Sequence, residues 1–199
     1  RRELAQADAV LVSSQCRNES DVIDLAREAD AILNVAAPIT RRVIEQLQHC
    51  QVIVRYGIGV DTIDIPAATE HGIMVANVPD FCMEEVSNHA LMLLLACAKR
   101  LVRLDGAVRA GEWGRRREIL QGADAIAGQT LGLVAFGKIP RALVPKAQAL
   151  HMEILAYDPY VAASTFQSYG VTPASFEALL ERSDYVSVHT PLTPETRGL

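Results

Sequence analysis

Short apolar runs alternate with amphipathic stretches along most of the chain. In the first part the apolar runs are Ala9–Val12, Ala31–Val35, Val52–Val54 and Ile73–Val75. Each has the length and the β-branched content of a buried strand. Between them, Ser20–Glu28, Thr40–Leu47 and Ile65–His71 repeat their apolar residues with helical spacing. Thr40 and Asp64 stand where N-caps belong, and Gly72 stands where a helix ends. Strands this short, with helices between them, predict a mainly parallel sheet with helices on both faces. Ahead of the first run, Arg1-Arg2-Glu3 enters a helix-like piece.

Asn77-Val-Pro-Asp80 interrupts the alternation, and a long helix is predicted over Met83–Val108. Gly111–Ala127 reads as a loop-rich return into a second alternation. That alternation has strands at Leu131–Phe136, Glu153–Tyr157 and Tyr185–His189, with helices over Arg141–Leu150 and Ser175–Glu181. The boundary falls near residue 80, giving domains over 1–80 and 81–199. Thr193-Pro-Glu-Thr196 reads as an N-cap with proline in the first turn, so a helix is expected to begin there. Three strands in the second domain would leave apolar sheet uncovered. Both α/β domains are therefore expected to be incomplete in this chain and to continue in a longer protein.

The candidate chemistry gathers at strand ends. Leu131–Pro140 reads as a buried strand, a tight turn and a helix start. A second strand ends at Asp158, about 20 residues beyond Gly137, which is the layout of a dinucleotide site. The glycine pattern is altered: only the central Gly137 stands within Ala135-Phe-Gly-Lys-Ile-Pro140. Backbone N–H groups over Phe136–Ile139 can converge on a pyrophosphate at a helix N-terminus. Ala135 costs little if its φ is negative and about 1 kcal/mol if positive. Pro140 is tolerable only within the first helical turn. The competing reading is an ordinary α/β turn without a ligand. Asp158 can accept hydrogen bonds from ribose hydroxyls and repel a 2′-phosphate, or it can be a turn aspartate before Pro159. Asp184 reads as a turn residue. His189, Thr190, Pro191 and Thr193 follow another strand end, where His189 could flank a ligand or be a satisfied structural histidine.

An earlier glycine loop, Arg55-Tyr-Gly-Ile-Gly-Val-Asp61, also follows an apolar strand. Its N–H groups could form an anion-binding nest, and Arg55 could clamp a carboxylate. Alternatively the loop is a tight turn with Arg55 paired to a surface acid. Glu84-Glu85 suit the positive end of the long helix. His89 reads as making a structural hydrogen bond. No nucleophile–base set and no metal-ligand spacing is apparent in the sequence.

Composition narrows the classes. Half of the residues are hydrophobic and the formal charge is −5, so nothing favours nucleic acid or an anionic membrane. Arg115-Arg-Arg117 reads as a solvated loop, with a phosphate contact as the lesser alternative. Cys16, Cys50, Cys82 and Cys97 have no C-x-x-C spacing, which suits reduced, mostly buried thiols in a cytoplasmic protein. The longest apolar stretch, Leu91–Ala98, is too short to span a bilayer.

Four stretches carry a resemblance: VRYGIGVDTIDIPAATEHGIMVANVPDFCMEEVSNHALMLLLA, GAVRAGEW, AGQTLGLVAFGKIPRALVPKAQALHMEILAYDPY and SDYVSVHTPLTPETRGL. In this order they resemble the D-isomer-specific 2-hydroxyacid dehydrogenases. Within them they look most like the branch of bacterial dehydrogenases and C-terminal-binding-protein corepressors. The resemblance implies a flavodoxin-like substrate domain, discontinuous in the family, and a Rossmann nucleotide domain inserted after Asn77–Asp80. It implies that the backbone of Tyr56, Gly57 and Ile58, assisted by Arg55, holds a substrate carboxylate. Phe136, Gly137, Lys138 and Ile139 would form the pyrophosphate loop, and Asp158 would select NAD. His189, Thr190 and Pro191 would line the adenine side, with Thr196 nearby. The family's arginine, histidine and acidic residue for the chemistry would lie beyond Leu199, so no catalytic residue is assigned here. The implied function is hydride transfer between NAD(H) and a 2-keto/2-hydroxy acid in a homodimer. The alternatives are an NAD(H)-sensing corepressor-like interaction protein and a degenerate, cofactor-free scaffold. Ala135 and Pro140, where the family has glycines, motivate the last.

Overall fold

Parallel pairing needs a crossover of about a dozen residues or more, usually a helix, and the connections between these short strands are of that length. Every strand pair in the computed structural model, which describes Gln6 and residues 9–199, is parallel. The chain divides between Phe81 and Cys82 into two compact units. The helix-like piece expected at Arg1-Arg2-Glu3 lies outside the described residues.

In the first unit the order is α1 (Glu19–Ala26), β1 (Ala31–Asn34), α2 (Arg41–Ile44), β2 (Val52–Arg55), α3 (Ile65–Glu70) and β3 (Met74–Ala76). The strands lie side by side as β1-β2-β3. Ile53 of β2, fully buried, packs with Val22, Ile23, Val43, Ile44, Ala67 and Ala68 from the three helices. Leu33 and Met74 point to the other side and are exposed. Asp64 caps α3 as expected, accepting a 2.9 Å hydrogen bond from the Ala67 amide. Thr40 precedes α2 but makes no cap; its hydroxyl donates to Glu19 at 2.6 Å. Asn18 caps α1 instead of any residue read as a cap in the sequence.

The second unit begins with α4 (Met83–Ala98) and α5 (Leu101–Arg109), then a 3₁₀ turn (Trp113–Arg115) and α6 (Arg116–Ile119). There follow β4 (Thr130–Val134), α7 (Lys138–Gln148), β5 (Glu153–Tyr157), α8 (Ala163–Ser168), β6 (Thr172–Pro173), α9 (Phe176–Arg182) and β7 (Tyr185–Val188). The strand order β6-β5-β4-β7 reverses direction beside β4. One apolar cluster joins Leu94, Leu131, Leu133, Phe136, Leu143, Val144 and Phe166. A second joins Val134, Leu155 and Leu179 on the α9 side. The amphipathic α7 is fastened to α4 by Lys146, whose ammonium donates to Glu84 and Asn88 at 2.7 Å each and to the fully buried Ser87 hydroxyl.

Several expectations are corrected. Ala9–Val12 forms no strand: Val10 and Val12 are exposed, and β1 has no neighbour on that side among the described residues. The long helix breaks at Arg100, whose φ of 49° is left-handed, so that α5 sets out in a new direction and buries Ala107. Arg115–Arg117 belongs to a helical corner, where Arg115 bridges Glu112 and Glu118. The His89 ring is exposed and makes no hydrogen bond among the described residues. Thr193–Thr196 closes as a turn instead of opening a helix: the Thr196 hydroxyl accepts from the Thr193 amide at 2.8 Å and donates to the Pro191 carbonyl at 2.6 Å. Asp184 is a turn residue as expected, its carboxylate accepting the Thr130 amide at 2.7 Å. No helix among the described residues is long and apolar enough to cross a membrane.

β4 is seated against α9 through Gly132. A Cβ there would run into the Ser183 hydroxyl and lie 2.7 Å from Leu179 Cδ2. Gly132→Ala is expected to lower stability by about 1–3 kcal/mol in urea unfolding, the usual range for overpacking; an unchanged midpoint would contradict this packing.

Candidate functional sites at the strand ends

In a parallel sheet all carboxyl ends share one edge, and a ligand crevice forms where the strand order reverses. In the second unit that place lies beyond β4 and β7. Val134 is in register with Tyr157 on one side and Val188 on the other. Residues 135–139, Asp158 and His189–Pro191 therefore leave the same edge of the sheet.

The turn after β4 is held from within. The Ala135 amide continues the ladder to Tyr157 O at 2.8 Å. Ala135 itself has φ of 75°, the left-handed conformation that favours glycine. The Phe136 amide donates to Asp158 Oδ2 at 2.8 Å. The Phe136 ring is fully buried, stacked on Phe166 at 4.8 Å and edge-on to Tyr169 at 5.7 Å. Gly137 then caps α7 with ordinary φ of −76°, is exposed, and has open space where a side chain would be. Pro140 is buried and is the third residue of α7, where an N–H has no intrahelical acceptor. The two departures from the glycine pattern are thus accommodated differently. Alanine bears a local conformational cost, whereas proline loses a donor that the helix itself does not use.

Asp158 holds the turn, the second of its two readings. Oδ2 accepts the Phe136 amide and Oδ1 accepts the Tyr160 amide at 2.9 Å. A carboxylate has about four acceptor sites, so this half-buried group keeps capacity for hydroxyl donors. His189 continues β7, its amide bonded to Val134 O at 2.9 Å and its Nε2 lying 2.9 Å from the Ser187 hydroxyl. Burial pushes the imidazole below its usual range. Thr190 is half-buried, Pro191 exposed, and the Thr196 hydroxyl is engaged with Pro191 and Thr193. These features fit an anionic dinucleotide: an exposed glycine at a helix start, with a carboxylate alongside. Tyr160 and Ser187 each bond a site residue two positions away, one through its backbone amide and one through a hydroxyl, and neither contact leaves a distinguishing sequence pattern.

In the first unit, the loop after β2 directs its peptide groups. Tyr56 and Gly57 donate their amides to Asn34 O and Arg55 O, at 2.8 and 2.9 Å. The Gly57 and Ile58 carbonyls accept from the Val78 amide and Asn77 Nδ2, at 3.0 and 2.8 Å. Because C=O and N–H point oppositely across a trans peptide, the Ile58 and Gly59 amides face away from the 77–78 strap. Neither donates to the chain among the described residues. Arg55 folds back, donating from Nη1 to Tyr56 O at 2.7 Å, instead of pairing with an acid. A Cβ on Gly57 would sit 2.9 Å from that Nη1, so a side chain there would push the guanidinium aside. Asn34, buried at the end of β1, braces the adjoining loop through two hydrogen bonds to Ala37.

Comparison with known proteins places this geometry in a family. Residues 91–199 match the NAD binding domain of the D-isomer specific 2-hydroxyacid dehydrogenases. The D-3-phosphoglycerate dehydrogenase of Methanocaldococcus jannaschii is 36% identical over 183 residues, covering 91% of this chain and 34% of that protein. The Mycobacterium leprae enzyme of the same name is 37% identical over 173 residues, 86% of this chain and 32% of that protein. D-lactate dehydrogenase from Aquifex aeolicus, solved with NAD and lactic acid, superposes with a TM-score of 0.80 at 27% identity, over 87% of this chain and 52% of that one. The chain belongs to the D-isomer-specific 2-hydroxyacid dehydrogenase family, and its second unit is of the NAD-binding kind. It spans about a third of the length of the curated relatives it matches.

Ala135→Gly is expected to raise stability by about 1 kcal/mol by removing the left-handed cost; an unchanged or lower urea midpoint would contradict it. The folded pKa of His189 lies below its unfolded value. The unfolded chain therefore binds the proton first as pH falls. This contribution is complete above the unfolded value of about 6.5 and is lost as pH falls through the folded one. His189→Gln is expected to flatten the stability loss between neutral and mildly acidic pH. An unchanged slope would contradict the burial of a neutral ring.

Proposed function

We propose that the full-length protein is an NAD(H)-dependent dehydrogenase that interconverts a 2-keto acid and a 2-hydroxy acid. The observation that carries this reading is the turn after β4, with exposed Gly137 at the start of α7 and Asp158 bonded to its Phe136 amide. When bound, the nicotinamide supplies or accepts the hydride. The chain's own part is to hold and orient. Residues 81–199 form the nucleotide domain, where the Phe136–Ile139 turn binds the pyrophosphate through the amides that follow Phe136, whose own amide is spent on Asp158, and Asp158 binds the ribose. His189, Thr190, Pro191 and Thr196 line the adenine side. Residues 1–80 form part of the substrate domain, where the loop at Arg55, Tyr56, Gly57 and Ile58 binds the substrate carboxylate. Its outward amides are those of Ile58 and Gly59. The relatives named for 3-phosphoglycerate and lactate support a 2-hydroxy acid as substrate.

The finer assignment is a cytoplasmic homodimer of the C-terminal-binding-protein-like branch, whose partners include neither nucleic acid nor membrane. Its four cysteines are free thiols, which suits a reducing compartment, although Cys16, Cys50 and Cys82 are half-buried and Cys97 is exposed, against the expectation of mostly buried thiols. α4 and α5 expose Val86, Met92, Leu93, Leu101 and Val102, an apolar surface suited to a second copy. The same surface favours a second reading, NAD(H)-dependent assembly without turnover.

Full-length protein assayed with NADH and a panel of 2-keto acids is expected to turn over, and sedimentation to give a dimer with or without NADH. Demonstrated NADH binding with no turnover, together with NADH-dependent assembly, would replace the enzyme reading by the sensing one. Asp158→Asn keeps an acceptor for Phe136 but removes the charge. It is expected to lower the preference for NADH over NADPH about tenfold, equivalent to about 1.4 kcal/mol; an unaltered preference would remove Asp158 from the ribose site.

A further inference from the structure

We infer that Arg141 is a positioning residue for the phosphates of the dinucleotide, supplying a fixed positive charge beside the turn at Phe136–Gly137. The inference rests on the reading of that turn as a dinucleotide site, and it adds a residue that the glycine pattern does not mark.

Arg141 lies one turn into α7, its amide donating to Gly137 O at 3.2 Å. Its guanidinium carbon sits 5.4 Å from the Phe136 ring centre and 6.0 Å from that of Tyr169. Phe136 is the turn residue whose amide is bonded to Asp158. One guanidinium therefore rests on the ring that anchors the turn.

Two further features separate this arginine from an ordinary surface cation. Its Nε is buried and has no acceptor. No carboxylate pairs with it among the described residues. Rings replace part of its hydration without cancelling its charge. A half-dehydrated, unpaired cation projects a stronger field than one in water, and an anion brought to the adjoining turn would compensate it. Pro140 gives this role its place. It removes an N–H from the first turn of α7, and the next residue carries a full positive charge.

The test uses the full chain and three probes: NADH, ADP and adenosine, with binding measured by calorimetry at low and high salt. Arg141→Met keeps a long apolar stem on the rings and removes the charge. It is expected to weaken NADH and ADP about three- to tenfold at low salt, with a smaller loss at high salt, and to leave adenosine unchanged. Arg141→Lys is expected to retain most of the preference for ADP over adenosine. Equal weakening of ADP and adenosine by the methionine variant would mean a structural role, and unchanged affinities no role; either overturns the inference. If the methionine variant fails to fold, the lysine variant decides. Retained ADP preference supports a role for charge, and loss of that preference overturns it. Wild-type protein that binds neither NADH nor ADP would overturn the dinucleotide reading itself. Wild-type binding with indifferent variants would overturn Arg141 alone.

Discussion

Beyond the last ladder bond, a hydrogen bond from the Phe136 amide to Asp158 Oδ2 at 2.8 Å joins the exits of the two central strands of the second unit. Its acceptor is a carboxylate, which places it among the stronger protein hydrogen bonds, worth about 1.5–3 kcal/mol. The bond fixes the direction in which the chain leaves β4. It also fixes the carboxylate, whose other oxygen holds the Tyr160 amide. Phe136 is tethered twice: its amide to this carboxylate and its ring in the core against Phe166 and Tyr169. With the second residue of the turn immobilised, the third, Gly137, is left at the surface at the start of α7.

The rest of the second unit supports that constraint. Gly132 lets β4 lie close to α9. Lys146 ties α7 to α4, so the helix behind the turn is braced at its far end. The left-handed Ala135 is held by the ladder bond to Tyr157 and by the tethered residue after it. Local strain of this kind persists where surrounding contacts over-determine the backbone. The first unit reaches a similar result by another route. There the carbonyls after β2 are tied down by Asn77 and Val78, and the opposing amides face outward.

Much of this was legible in the sequence, for definite reasons. β2, β4, β5 and β7 are runs of branched and aromatic residues with helical connections, and tertiary context agrees with local preference. Asp64 could be read as a cap because capping is a local interaction. What depended on partners was not legible. Ala9–Val12 has strand composition but no pairing neighbour among the described residues. The break at Arg100 carries neither glycine nor proline, and α8 offers one buried apolar residue, Phe166. At the first glycine loop the sequence pointed to Tyr56, Gly57 and Ile58, and the amides of the first two are spent on Asn34 and Arg55. Only the strap at 77–78 shows that Ile58 and Gly59 are the outward donors.

The central claim is that the turn from Ala135 to Ile139, held by Asp158, receives the dinucleotide. Backbone amide resonances followed during titration with NADH test it most directly. The account predicts that the largest shifts fall on Phe136, Gly137, Lys138 and Ile139 and on the residues flanking Asp158. Shifts concentrated elsewhere, with those amides unmoved at saturation, would contradict it.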